Sequence, residues 1–137
     1  MTQTEDLPKA NPVGVVVLPS PYSVNETTER LESTIRRQGS TIYTRIDQQA
    51  ELQKVGQYIP PLTFILFGNP GGGGPVMAEN SLAALDLPLK LIVWENHQKK
   101  VWVAYNVDTY IGNRYSLSSG VILPLRLDGI VTEALTS

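Results

Sequence analysis

Four consecutive glycines, Gly71 to Gly74, stand between Pro70 and Pro75 just after the apolar run that ends at Phe67. Such runs suggest phosphate chemistry, because amides without a Cβ beside them can approach an anion closely. The phosphate-loop spacing G-x-x-x-x-G-K-[ST] needs a lysine and a hydroxyl after its last glycine. Here Pro75 and Val76 follow Gly74, so that chemistry is not encoded. The dinucleotide turn G-x-G-x-x-G requires a parallel βαβ unit, and the flanking segments do not read as one. A weaker functional reading remains. A short helix running from Pro75 to about Leu85 would aim its free amides at the glycines and attract an anion. The competing and favoured reading is a flexible connector between a buried strand and that helix.

A second constellation depends on strand pairing. If the third, fourth and fifth strands form an antiparallel meander, Asn69, Asp86 and the pair Tyr105–Asn106 share one rim beside the glycines. Asn69, Gly72, Gly73, Asp86 and Tyr105 are therefore the candidate ligand-binding residues. Asn and Asp at such places more often close Asx-turns. Tyr105 reads better as a packing aromatic with a bonded hydroxyl than as an acid or base. A carboxylate pair, Asp47 with Glu95, would form at the opposite rim only if the sheet order brings them together. His97 is the one histidine, and it falls in a turn. With no cysteine, a zinc site lacks its usual ligand set, so no metal and no cofactor is expected. A Ser-His-Asp triad has no G-x-S-x-G elbow to stand on. Met77, Trp94 and Trp102 read as core or interface.

The elements that must position these residues are legible. Val13 to Leu18 is a β-branched strand. Ser23-Val24-Asn25-Glu26 is a capping box, and Val24, Thr28, Leu31 and Ile35 recur at helical spacing. Glu26–Arg30 and Glu32–Arg36 pair at i,i+4 on the other face, and Gly39 takes the left-handed position after the helix, which spans 24–38. Strands follow at 40–46, 62–67, 89–95 and 101–105, the last two joined as a hairpin. Short helices are expected near 49–55 and 110–115, capped by Asp47 and Asp108, and a last helix over 124–135. Residues 1–12 read as a flexible arm, and 13–137 as a single domain. The fold class is α+β, in the order β-α-β(4)-α, with one largely antiparallel sheet, helices packed on one face and small helical insertions.

Composition narrows the function classes. The chain has 137 residues, 42% hydrophobic and 18% charged, with a net charge of −2, which suits one ordered domain. Arg30, Arg36 and Arg37 are interleaved with Glu26, Glu29 and Glu32, so there is no basic stripe for nucleic acid. No apolar run reaches the roughly 20 residues of a membrane helix, and no signal peptide is readable. A cysteine-free chain fits a reducing cytoplasm. Three strands, 62–67, 89–94 and 101–105, carry too few polar residues for a sheet with one wet face. Something must cover the second face, and a homodimer is the expectation.

The chain resembles a known family on motifs taken together. Thr27 and Leu31, Gly39, Phe67-Gly68-Asn69-Pro70, Met77, Leu85-Asp86-Leu87-Pro88-Leu89, Val93-Trp94-Glu95 and Val101-Trp102-Val103-Ala104-Tyr105-Asn106 occur in the order and spacing of the domain of unknown function 302 family. The resemblance runs from about Val13 to Leu135. It implies a β-α-β(4)-α fold, in agreement with the element order, and leaves function open. Members often carry a His after the aspartate that follows the second strand, where Gln48 stands here. Their glycine loop often carries a Lys-like residue and a Thr, where Gly71 and Gly74 stand. Those substitutions point away from an enzyme. The leading expectation is a non-catalytic homodimeric module that binds a small ligand or anion near the glycines. The alternatives are an enzyme using carboxylates or Tyr105 at a rim pocket, and a nucleic-acid-associated protein.

Overall fold

In the computed structural model, which describes residues 11–136, five strands form one sheet. They are β1 (Val15–Ser20), β2 (Thr41–Asp47), β3 (Leu62–Gly68), β4 (Leu89–Glu95) and β5 (Val101–Asn106). The order across the sheet is β1-β5-β4-β3-β2, and every neighbouring pair is antiparallel. The last four strands are a meander, each pairing with the next in sequence as consecutive elements most often do. β1 and β2 occupy opposite edges, so helix α1 (Val24–Arg37) crosses the whole sheet to join them. The expected arm lies outside the described residues except for Asn11 and Pro12.

Helix α1 forms where its cap and stripe say it should. Ser23 Oγ accepts from the Glu26 amide at 3.0 Å, and Gly39 closes the helix at φ 86. The apolar stripe Val24, Leu31 and Ile35, with Thr27 and Thr28, is buried. It meets Ile65, Phe67, Leu91, Val93 and Val103 from the sheet, and Ile130, Val131 and Ala134 from the C-terminal helix α6 (Asp128–Thr136). Among the described residues, helices therefore cover one face only. The other face carries Phe64, Leu66, Ile92, Trp94, Trp102 and Ala104, with Trp94 directly opposite Trp102.

Two ion-pair expectations part company. Arg30 Nε bonds Glu26 at 3.1 Å, as the i,i+4 spacing predicts. Glu32 turns instead to Arg45 of β2, with contacts of 2.8 and 3.0 Å. A two-pronged, part-buried pair outweighs an exposed helix pair worth a few tenths of a kcal/mol.

The main correction concerns the glycines. They are not a loop: helix α3 runs Pro70–Glu79 and contains all four. Asn69 caps it, and Pro70 takes the first-turn place where a missing N–H costs nothing. A 3-10 turn, Ser81–Asp86, follows in place of a continuous helix to Leu85. The smaller helices are α2 (Gln48–Gln53), α4 (Asp108–Arg114) and α5 (Ser119–Ile122). The expected single C-terminal helix is interrupted. Pro124 sits in a 3-10 turn, Leu123–Leu125, and α6 begins only at Asp128.

Candidate functional site

Helix α3 lies against the Leu123–Leu125 turn because glycine lets it. A Cβ on Gly72 would fall 2.9 Å from Pro124 Cβ, closer than carbon atoms tolerate. The far end is tied down by side chains. Asn80 Nδ2 donates to the Tyr115 carbonyl at 2.8 Å, and the Ser118 amide and hydroxyl both donate to Glu79 at 3.0 Å. These contacts offset the poor helix propensity of the glycines.

Between α3, the start of β4 and the Pro124–Leu127 segment lies a cleft of about 190 Å³. Phe67, Leu87, Leu89, Leu125 and Ile130 form its apolar walls, and Gly72, Gly73 and Met77 line it from α3. Tyr43 of β2 closes one side. Its ring packs beside Gly68, where a Cβ would lie 3.5 Å from Cε2. Among the described residues, the polar lining ones are Ser40, Tyr43, Asn69 and Arg126, of which Arg126 alone is charged.

The sequence candidates divide between this cleft and its neighbourhood. Asn69, Gly72 and Gly73 line it. The anion-binding amides expected there are already occupied. Asn69 Oδ1 accepts from the Gly71 amide at 2.9 Å, and the Asn69 carbonyl accepts from Gly72 and Gly73 at 2.8 Å each. Asp86 and Asn106 line a second hollow of about 130 Å³. It shares Leu87, Pro88, Leu89 and Leu127 with the cleft. There Asp86 accepts from the Tyr115 hydroxyl at 2.5 Å and from Arg114 at 3.2 Å. The Asp86 hydrogen bond, with burial behind it, raises the Tyr115 pKa. Tyr105 faces the core side of the sheet and gives its hydroxyl to Asp128. Burial first, and then that bond, hold its phenol protonated well above the usual range.

At the opposite rim Asp47 and Glu95 end strands that β3 separates. Asp47 caps α2 by accepting from the Ala50 amide at 2.9 Å, and the Glu95 backbone amide donates to the Pro61 carbonyl. His97 is exposed in the β4–β5 hairpin, whose turn is organised by Asn96 accepting from the amides of Gln98 and Lys100. Among the described residues no group of three His, Cys, Asp or Glu side chains could hold a metal. Sequence reasoning missed Tyr43 and Arg126. The cleft is assembled from chain segments far apart, and no local spacing announces it.

The family described as Domain of unknown function DUF302 matches residues 16–125. This chain belongs to the DUF302 family. The crystal structure of an uncharacterized conserved DUF302 protein from Bacillus stearothermophilus has the same fold. Its TM-score is 0.75 at 20% identity, covering 90% of this chain and 97% of that one. The DUF302 chain is also 35% identical over 121 residues to proteins named fluoride-specific ion channel FluC 1 in Brucella suis and Brucella abortus. The match covers 87% of this chain but 48% and 45% of those proteins. The chain thus spans about half the length of the curated relatives it matches. Among its described residues, no helix is long and apolar enough to cross a membrane.

Proposed function

We propose that this DUF302 domain is a non-catalytic binding module that holds a small molecule in the cleft beside α3 and acts as a homodimer. The observation that carries the reading is the cleft itself, concave and apolar with a few polar groups at its edge. A catalytic reading has less support. Asp86 and Asp128 are each engaged by a tyrosine hydroxyl, and neither lines the cleft. Basic residues on α1 are matched by acidic ones, which disfavours a nucleic-acid role. The helix-free sheet face supports a second copy as its cover, and the lack of cysteine suits a cytoplasmic setting.

The longer relatives bear on the same reading. An ion channel needs membrane-spanning segments, and the residues described here contain no helix able to supply one. In those proteins the DUF302 part would accompany the conducting part as an accessory binding domain.

A thermal-shift screen against a metabolite library tests the proposal. A ligand specific for the native state, at about 100 times its Kd, adds about 2.7 kcal/mol of apparent stability. Gly73→Leu is the companion variant. Its Cβ meets only Met77 and Leu87, at 3.8 and 3.9 Å, so the longer side chain fills the cleft without a backbone clash. Hits that raise the Tm of the native chain and not of Gly73→Leu support the module. Hits indifferent to that substitution, or no hits, overturn the site.

A further inference from the structure

We infer that the ligand of this cleft is a small apolar monocarboxylate, one ring or a branched chain in size, with Arg126 as the partner of its carboxylate. This rests on the binding role of the cleft and goes on to name the ligand class. Size comes first. A dry cavity of about 150 Å³ accommodates benzene, and this cleft is about 190 Å³ with an open side. A single ring or a branched chain of similar bulk fills it.

Charge comes second. Among the described residues the lining contains no Asp or Glu, and Arg126 supplies its only charge. No side chain among the described residues hydrogen-bonds or ion-pairs with the Arg126 guanidinium, although Asp128 lies two residues on. That carboxylate is engaged by Tyr105. The segment carrying Arg126 is firmly seated, since Leu125 and Leu127 on either side are 2% and 3% exposed. An exposed arginine without a partner, carried on an anchored backbone at an apolar cleft, presents the planar fork that carboxylates match.

Charge count selects among oxyanions. One cation balances one carboxylate, whereas a phosphate monoester carries about −1.5 to −2 at neutral pH. A bare small anion would use none of the apolar wall. Nor would it find free amides at the start of α3, because Asn69 holds them.

Isothermal titration calorimetry with benzoate, benzamide, phenyl phosphate and sodium fluoride tests the inference on the native chain, Arg126→Gln and Gly73→Leu. Benzoate is expected to bind the native chain at least about tenfold more tightly than benzamide, as a charge-assisted bond predicts. Arg126→Gln is expected to erase that preference by weakening benzoate at least about tenfold, with a much smaller effect on benzamide. Arg126 has no partner to lose, so this variant keeps its fold. Equal binding of benzoate and benzamide, both lost in Gly73→Leu, overturns the carboxylate class and leaves the cleft standing. Tighter binding of phenyl phosphate or of fluoride than of benzoate overturns it too. Failure of every probe, or benzoate binding undiminished in Gly73→Leu, overturns both the class and the cleft.

Discussion

Glu32 and Arg45 tie the crossing helix to the edge strand, and their geometry decides what that tie is worth. The Glu32 side chain is 9% exposed and Arg45 is 35% exposed, so water screens one partner and hardly reaches the other. The guanidinium holds its proton all the more firmly for the Glu32 hydrogen bond. Removing the carboxylate strands a cation at a half-wet site. Glu32→Ala should therefore cost about 1–3 kcal/mol in chemical denaturation, less than a fully buried pair would. An unchanged denaturation midpoint would mean the pair is decorative. Tyr105 makes a prediction about pH. Its folded pKa is raised above the unfolded value of 10.0. The folded state thus keeps its proton where the unfolded state loses it. The resulting stabilisation is complete below pH 10 and is lost as pH climbs above it. Tyr105→Phe should flatten the alkaline limb of the stability curve. Some slope should persist, because Tyr115 is shifted the same way.

At the scale of elements, α3 is the departure from local rules. Glycine in a helix interior costs about 1 kcal/mol relative to alanine, and α3 contains four of them plus Pro75. The four are not equivalent. Gly72 is required by its approach to Pro124, whereas a Cβ on Gly73 makes only ordinary contacts, with Met77 Cε at 3.8 Å and Leu87 Cδ1 at 3.9 Å. Gly73→Ala should raise stability by about 0.5–1 kcal/mol by restricting the unfolded chain. Gly72→Ala should lower it, and melting curves of the two will separate packing from propensity. The same contrast explains what could be read in advance. The strands and α1 were legible because pattern, caps and turns agree: the Ser23 cap, the Leu31–Ile35 stripe, the Leu89–Glu95 run. The helical state of the glycines was not. Local propensity opposes it, and the contacts that overrule propensity come from Pro124, Tyr115 and Ser118, far along the chain. The cleft was hidden for the same reason. Asn69, Gly72 and Gly73 were legible as its near wall, but Tyr43 and Arg126 reach it through tertiary folding alone.

At the scale of the whole molecule, the question is what faces the helix-free side of the sheet. Ile92 sits near its middle, opposite Phe64 on one side and Ala104 on the other, with Leu66, Trp94 and Trp102 around it. Lys90, over the Phe64 ring at 5.2 Å, is the one charge in these central strands on that face. The indole nitrogen of Trp102 is buried without a hydrogen-bond partner among the described residues. Five strands about 4.8 Å apart and about six residues long present roughly 400 Å² per protomer. Two such faces together reach only the small end of specific interfaces. A homodimer through this face should therefore be weak and concentration-dependent. Light scattering should show the mass rising from one chain toward two as protein concentration increases through the micromolar range. Ile92→Glu would place two like charges near the centre of a two-fold contact, and it should hold the protein monomeric with its circular dichroism unchanged. The substitution leaves the cleft untouched, so ligand binding should survive in the monomer. A native chain that stays monomeric at high micromolar concentration removes the dimer from the proposal and leaves the cleft as the whole of its function.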